Sequence, residues 1–170
     1  MSETMTKSAT LSPCGRYRYE LTRAWEPSFR HVVWIMLNPS TADAEVDDPT
    51  IRKCITLSKA WGFGRLTVVN LFAWRATDRR ELRRVNAPSG GGRNDNAIIA
   101  NATAADTVIC AWGKDGIHHG RDRRVLWLLQ NAGVRNLFHL GLNDDGVTPK
   151  HPLYLANDTQ PIAWASETHR

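Results

Sequence analysis

Large and polar residues alternate from Arg16 to Trp25, the period of a strand that buries one face. From His31 to Leu37 the run is continuously apolar, as expected of a central strand covered on both sides, and Pro39 ends it. Asp48 followed by Pro49 reads as an N-cap with proline at the first helical position. Ile51, Cys54, Ile55, Ser58 and Trp61 then recur at helical spacing before Gly62, which predicts a helix over about 49–61. Leu66 to Trp74 is a second buried strand, followed by an arginine-rich helix capped by Thr77 or Asp78. Asn94 or Asp95 opens a third helix running to Ala104, and Asp106 to Trp112 is a strand. Asp122 to Ala132 is a helix with Val125, Leu126, Leu128 and Leu129 inward, and Arg135 to Leu140 is a further strand. Strands separated by helices in this way imply right-handed crossovers and an α/β fold, a three-layer α/β/α sandwich with a mostly parallel central sheet. Residues 1–15 are polar and aperiodic and are expected to form a mobile N-terminal tail. Residues 16–170 then make a single α/β domain.

Composition and charge narrow the picture. Of the 170 residues 42% are hydrophobic and 23% charged, ordinary values for a globular chain whose core needs no metal or disulfide staples. The longest apolar run, His31 to Leu37, falls far short of the roughly 20 residues that cross a bilayer, and no apolar signal segment opens the chain. A soluble, cytoplasmic protein with no membrane partner is expected. Cys14, Cys54 and Cys110 are scattered, which suits neither a disulfide framework nor a Cys-x-x-Cys metal site; no metal and no cofactor is anticipated. The net charge is +5, from 22 Lys and Arg against 17 Asp and Glu, which favours an anionic partner. The excess is local: Arg75, Arg79, Arg80, Arg83, Arg84 and Arg93 stand against Asp78 and Glu81. On a helix, Arg79, Arg80, Arg83 and Arg84 would share one side and could follow a phosphate backbone. Paired with the two carboxylates, they would form only a solvated face.

In α/β sheets, ligands bind at the carboxyl ends of the strands. Asn38-Pro39-Ser40-Thr41-Ala42-Asp43 follows the first apolar strand, Asn70 to Arg75 ends the second, Ala111 to Lys114 ends the third, and His151-Pro152-Leu153 follows the fourth. In chain order, Leu37-Asn38-Pro39-Ser40, Val69-Asn70-Leu71, Ala111-Trp112-Gly113 and Lys150-His151-Pro152-Leu153 resemble the motif series of the uracil-DNA glycosylase superfamily. The longer strings LNPSTAD, DDPTIRKC, NLFAWRATD, AWG and PKHPLYL also resemble a bacterial and phage family of unknown function, over roughly residues 16–156.

The superfamily resemblance implies an N-glycosylase that acts on DNA or a nucleotide, with Asn38 holding a water, His151 donating to the departing base and Asn70 reading the base edge. Ser40 and Trp74 would complete base binding, Trp74 by stacking, and Arg75, Arg79, Arg80, Arg83 and Arg84 would contact phosphate. Asn38 cannot act as a general base as a carboxylate would, which resembles the mismatch-specific branch and leaves Asp43 or Asp47 as a replacement base. Two positions depart from the pattern: Met36 replaces a glycine, and Leu153-Tyr154 replaces the serine after His-Pro and could serve as an apolar wedge.

Each feature also has a purely structural reading. Asn38-Pro39-Ser40 is an ordinary turn, Asn70 a tie between loops, and His151 a capping histidine. The glycine loop Ser89 to Asp95 is a flexible connection or an anion cradle, and His118-His119 is a solvated turn. Trp61, Trp112 and Trp127 lie in apolar runs and read as core. Two further functions stay open: a non-catalytic nucleic-acid-binding or nucleotide-binding module, and a small-molecule hydrolase using Asp43 or Asp47.

Overall fold

In a computed structural model that describes residues 4–164, the apolar run forms strand β3 (His31–Met36), buried along its whole length. The remaining strands are β1 (Thr6–Leu11), β2 (Arg18–Ala24), β4 (Arg65–Asn70), β5 (Thr107–Cys110), β6 (Leu137–His139) and β7 (Ile162–Ala163). The helices are α1 (Pro49–Ala60), α2 (Gly91–Ala104) and α3 (Arg121–Asn131), with short 3-10 segments at Arg79–Arg83 and Lys114–Gly120. The strands form one sheet in the order β1-β2-β4-β3-β5-β6-β7.

The sheet is mixed, which corrects the expectation of a mostly parallel one. β3 runs parallel to β4 and β5, and β5 parallel to β6. The pairs β1–β2, β2–β4 and β6–β7 are antiparallel. A continuous apolar run such as β3 is what a doubly covered parallel strand requires, whereas β2 has partly exposed Glu20 and Thr22 between buried neighbours. That alternation is the mark of an antiparallel strand at the side of the sheet.

A second correction concerns the N-terminus. Thr6–Leu11, expected in a mobile tail, is strand β1, paired from Thr6 with Ala24 to Leu11 with Arg18 across a register shift at Thr10/Leu11. Its outward residues are small, polar or charged, so no hydrophobic period marks it as a strand.

Two apolar clusters fill the space on the two faces of the sheet. One joins Val32, Trp34 and Met36 of β3 to Ile51, Cys54, Ile55 and Leu57 of α1. The other joins Val33 and Ile35 to Ile98 and Ala102 of α2 and to Val125 and Leu129 of α3. Alternate β3 residues thus feed opposite cores, as the two-residue strand period demands.

α1 begins as its sequence predicts: the Asp48 carboxylate accepts from the Ile51 backbone N–H at 2.9 Å, and Pro49 leads the first turn. α2 begins earlier than Asn94 because Gly90, at φ +82°, takes a left-handed conformation that a side chain would resist. The arginine-rich segment is a five-residue 3-10 helix rather than an α-helix, so its side chains do not keep the predicted spacing on one side. Trp127, expected in the core, is 55% exposed with the Arg124 guanidinium 5.0 Å from its ring centre. Among the described residues no helix is long and apolar enough to cross a membrane.

Candidate functional site

The parallel core strands deliver their carboxyl ends to one rim. Met36 stands opposite Asn70, and the pairing continues beyond the strands: Leu71 N–H donates to Met36 O, Phe72 N–H to Leu37 O and Ala76 N–H to Pro39 O, each at 2.9 Å. On the other side, Ala111 N–H donates to Ile35 O and Gly113 N–H to Pro149 O, both at 2.9 Å. The second of these bonds carries the His151 loop to the end of β5, where a Cβ added to Gly113 would lie 4.0 Å from His151 Cβ. All four predicted segments therefore meet at one rim.

The two asparagines are held by the protein itself. Asn38 Nδ2 donates to Ala76 O at 2.8 Å and to Pro39 O at 3.0 Å, fastening the turn after β3 to the segment after β4. Asn70 is 1% exposed, and its Oδ1 accepts from Arg18 Nη2 at 3.4 Å. Arg18, itself 2% exposed, also donates from Nη1 to Ala42 O at 2.8 Å, while its Nε is buried without a partner. Burial lowers the Arg18 pKa to about 10, with the Asp48 carboxylate acting in the opposite direction, so the guanidinium stays charged at neutral pH. A buried arginine in strand β2 thus braces both the Asn38 loop and Asn70.

Asp43 is engaged as well. Its Oδ1 accepts from the backbone N–H groups of Glu45 and Val46, both at 2.8 Å, and these bonds hold its carboxyl below the usual carboxylate range. Asp47 accepts from the fully buried Arg23 at 2.7 Å. Both acids are built into the loop that leads to α1, and Asp43 is held ionised rather than poised to collect a proton.

Ser40, Trp74 and Arg75 come together. With Thr41, Thr77 and Arg16 they line an open groove of about 420 Å³ on the rim. Trp74 is half-buried; its Nε1 donates to Glu81 Oε1 at 3.1 Å, and Tyr17 meets it edge-on at 5.4 Å. The Arg16 guanidinium lies 5.8 Å from the Trp74 ring centre. Arg75 donates from Nη1 to Gly15 O at 3.1 Å, which fixes its guanidinium at the groove wall.

Arg79, Arg80 and Arg83 divide between two carboxylates. Arg80 grips Asp78 through Nε and Nη2 at 2.9–3.1 Å. Arg79 and Arg83 reach Asp115 at 2.8 and 3.6 Å. Arg84 is exposed and follows the 3-10 helix as its C-cap.

His151 is exposed, and its Nδ1 accepts from the Leu153 N–H at 3.2 Å. Partial loss of hydration and then the Arg79 charge lower its pKa from 6.5. That shift favours the neutral ring, in which, with Nδ1 accepting, the proton sits on Nε2. Tyr154, three residues on, is 94% exposed.

Sequence patterns did not single out Arg18, Arg23 or Asp115, because an arginine or aspartate carries no mark of burial or of a distant partner. The only signal for Arg18 was its place in an alternating strand. Among the described residues no three His, Cys, Asp or Glu side chains are grouped so as to hold a metal ion. A comparison with curated proteins finds no match. Residues 18–153, from the first residue of β2 through the loop that carries His151, match the family described as protein of unknown function (DUF1643), and the chain belongs to that family.

Proposed function

We propose that this protein binds a nucleic-acid strand in the groove formed by Ser40, Trp74 and Arg75. The observation that carries this reading is the meeting of an aromatic ring, a guanidinium and hydroxyl groups from two different strand ends in one open groove. Bases stack on aromatic side chains whatever their identity, and guanidinium groups neutralise phosphate. Arg79, Arg80, Arg83 and Arg84 follow Trp74 closely in the sequence.

Fluorescence anisotropy with a labelled single strand tests the reading. Trp74→Ala is expected to weaken binding by about tenfold, since base stacking contributes about 1–3 kcal/mol. Arg75→Gln is expected to reduce the slope of log affinity against log salt by about 0.7, one phosphate contact. Binding that both variants leave untouched would refute the groove assignment.

Release of a base by N-glycosidic cleavage is the second reading, favoured by one specific observation. The His151 tautomer leaves a neutral Nε2–H donor on the rim, suited to a departing base anion. Asn70 supports it less, because the oxygen that would read the base accepts from Arg18. Incubation with oligonucleotides carrying deaminated or mismatched bases decides the matter. Abasic-site formation that His151→Ala abolishes would establish cleavage; intact substrate at high protein concentration leaves binding alone.

A further inference from the structure

The 3-10 helix Arg79–Arg83 and the segment Lys114–Gly120 enclose a second cavity of about 190 Å³, lined by Arg79, Arg80, Leu82, Arg83, Asp115 and His118. It shares no lining residue with the Ser40–Trp74–Arg75 groove. The Asp115 carboxylate spans it, with Oδ2 2.8 Å from Arg79 Nε and Oδ1 3.6 Å from Arg83 Nη2. Those two arginine side chains are 72% and 67% exposed, so each ion pair contributes only about 0.2–1 kcal/mol and yields readily to a better anion. His118 lines the wall, its ring centre 5.8 Å from that of Phe72. Arg80 is turned away towards Asp78.

We propose that this pocket binds a phosphate monoester group, which displaces the Asp115 carboxylate from Arg79 and Arg83. The preference follows from charge and valence. A monoester carries about −1.5 to −2 charges at neutral pH and three terminal oxygens, against one charge and two oxygens for Asp115. A phosphodiester of a nucleic-acid backbone, with a single charge and two free oxygens, has no advantage over the resident carboxylate. The pocket therefore selects free phosphate or a terminal phosphate, and Asp115 sets the threshold that excludes weaker anions.

Isothermal titration calorimetry at constant ionic strength tests this with inorganic phosphate, and with one short oligonucleotide in its 5′-phosphorylated and 5′-hydroxyl forms. Phosphate is expected to bind. The double variant Arg79→Gln/Arg83→Gln should weaken it by about tenfold or more, and Asp115→Asn should strengthen it by about threefold or more by removing the competing charge. A tighter 5′-phosphorylated form assigns the ligand as a nucleic-acid end. Equal binding of the two oligonucleotides, with inorganic phosphate still bound, assigns free phosphate. Absence of phosphate binding, or an Asp115→Asn variant that binds no better than the parent, overturns the proposal. Trp74→Ala should leave phosphate binding unchanged; its loss there would place the anion in the groove and overturn the pocket. Loss of strand binding with phosphate binding intact counts only against the groove.

Discussion

Arg18 and Asn70 form a couple that neither residue can leave cheaply. Removal of the Asn70 side chain would take one acceptor from a buried guanidinium whose Nε already lacks a partner. Asn70→Ala is therefore expected to cost about 2–4 kcal/mol, read as a shift of the urea midpoint; an unchanged midpoint would refute the brace. This also makes Asn70→Ala a poor probe of function, whereas exposed His151 can be replaced without such a penalty. His31 offers a separate handle. It is 7% exposed, its Nε2 lies 2.9 Å from Thr67 Oγ1, and burial followed by the Arg65 charge lowers its pKa from 6.5 to about 4. Between those values the unfolded chain binds more protons than the folded one. Stability is thus full above about pH 6.5 and falls as the pH drops towards 4, by up to about 3 kcal/mol in all. Urea titrations at pH 7 and pH 5 check the direction, and a midpoint that does not decrease would contradict it.

Among the elements, the Lys114–Gly120 segment depends most on a single small residue. A Cβ at Gly116 would come within 2.1 Å of Trp112 Cδ1, because the backbone there lies against the buried indole. Gly116→Ala is expected to cost more than about 1 kcal/mol and to alter near-ultraviolet circular dichroism, with Asp115 drawn away from Arg79. An unperturbed spectrum would show that the indole has room to move. Removal of the α1 cap by Asp48→Ala should cost about 1 kcal/mol in thermal denaturation. The elements differed in how far sequence could reveal them. β3, α1 and α3 carry their period in their own residues, α1 its Asp48 cap as well, and the convergence of strand ends around Asn38, Asn70 and His151 follows from that order of elements. β1 pairs through backbone groups, which any polar sequence supplies, so nothing in residues 6–11 announced it. The Asp78 cap of Arg79–Arg83 is local and legible, but the pairing of Arg79 and Arg83 with Asp115 joins residues distant in the chain, which no local pattern announces.

At the scale of the molecule, the parallel strands β4-β3-β5-β6 supply the rim, and the antiparallel strand β2, itself paired with β1, supplies its support through Arg18 and Arg23. If the rim takes a nucleic-acid strand, affinity should fall steeply with salt, while the urea midpoint, set by buried contacts, should move little. A midpoint that tracks affinity through a salt series would contradict that separation. The antiparallel extension has one more consequence, for anyone who shortens the chain. A version beginning at Arg16 would discard β1 and leave the outer hydrogen-bonding groups of β2 unpaired. Such a bare strand edge is a template for another copy, so the shortened protein should self-associate under conditions where the full chain does not.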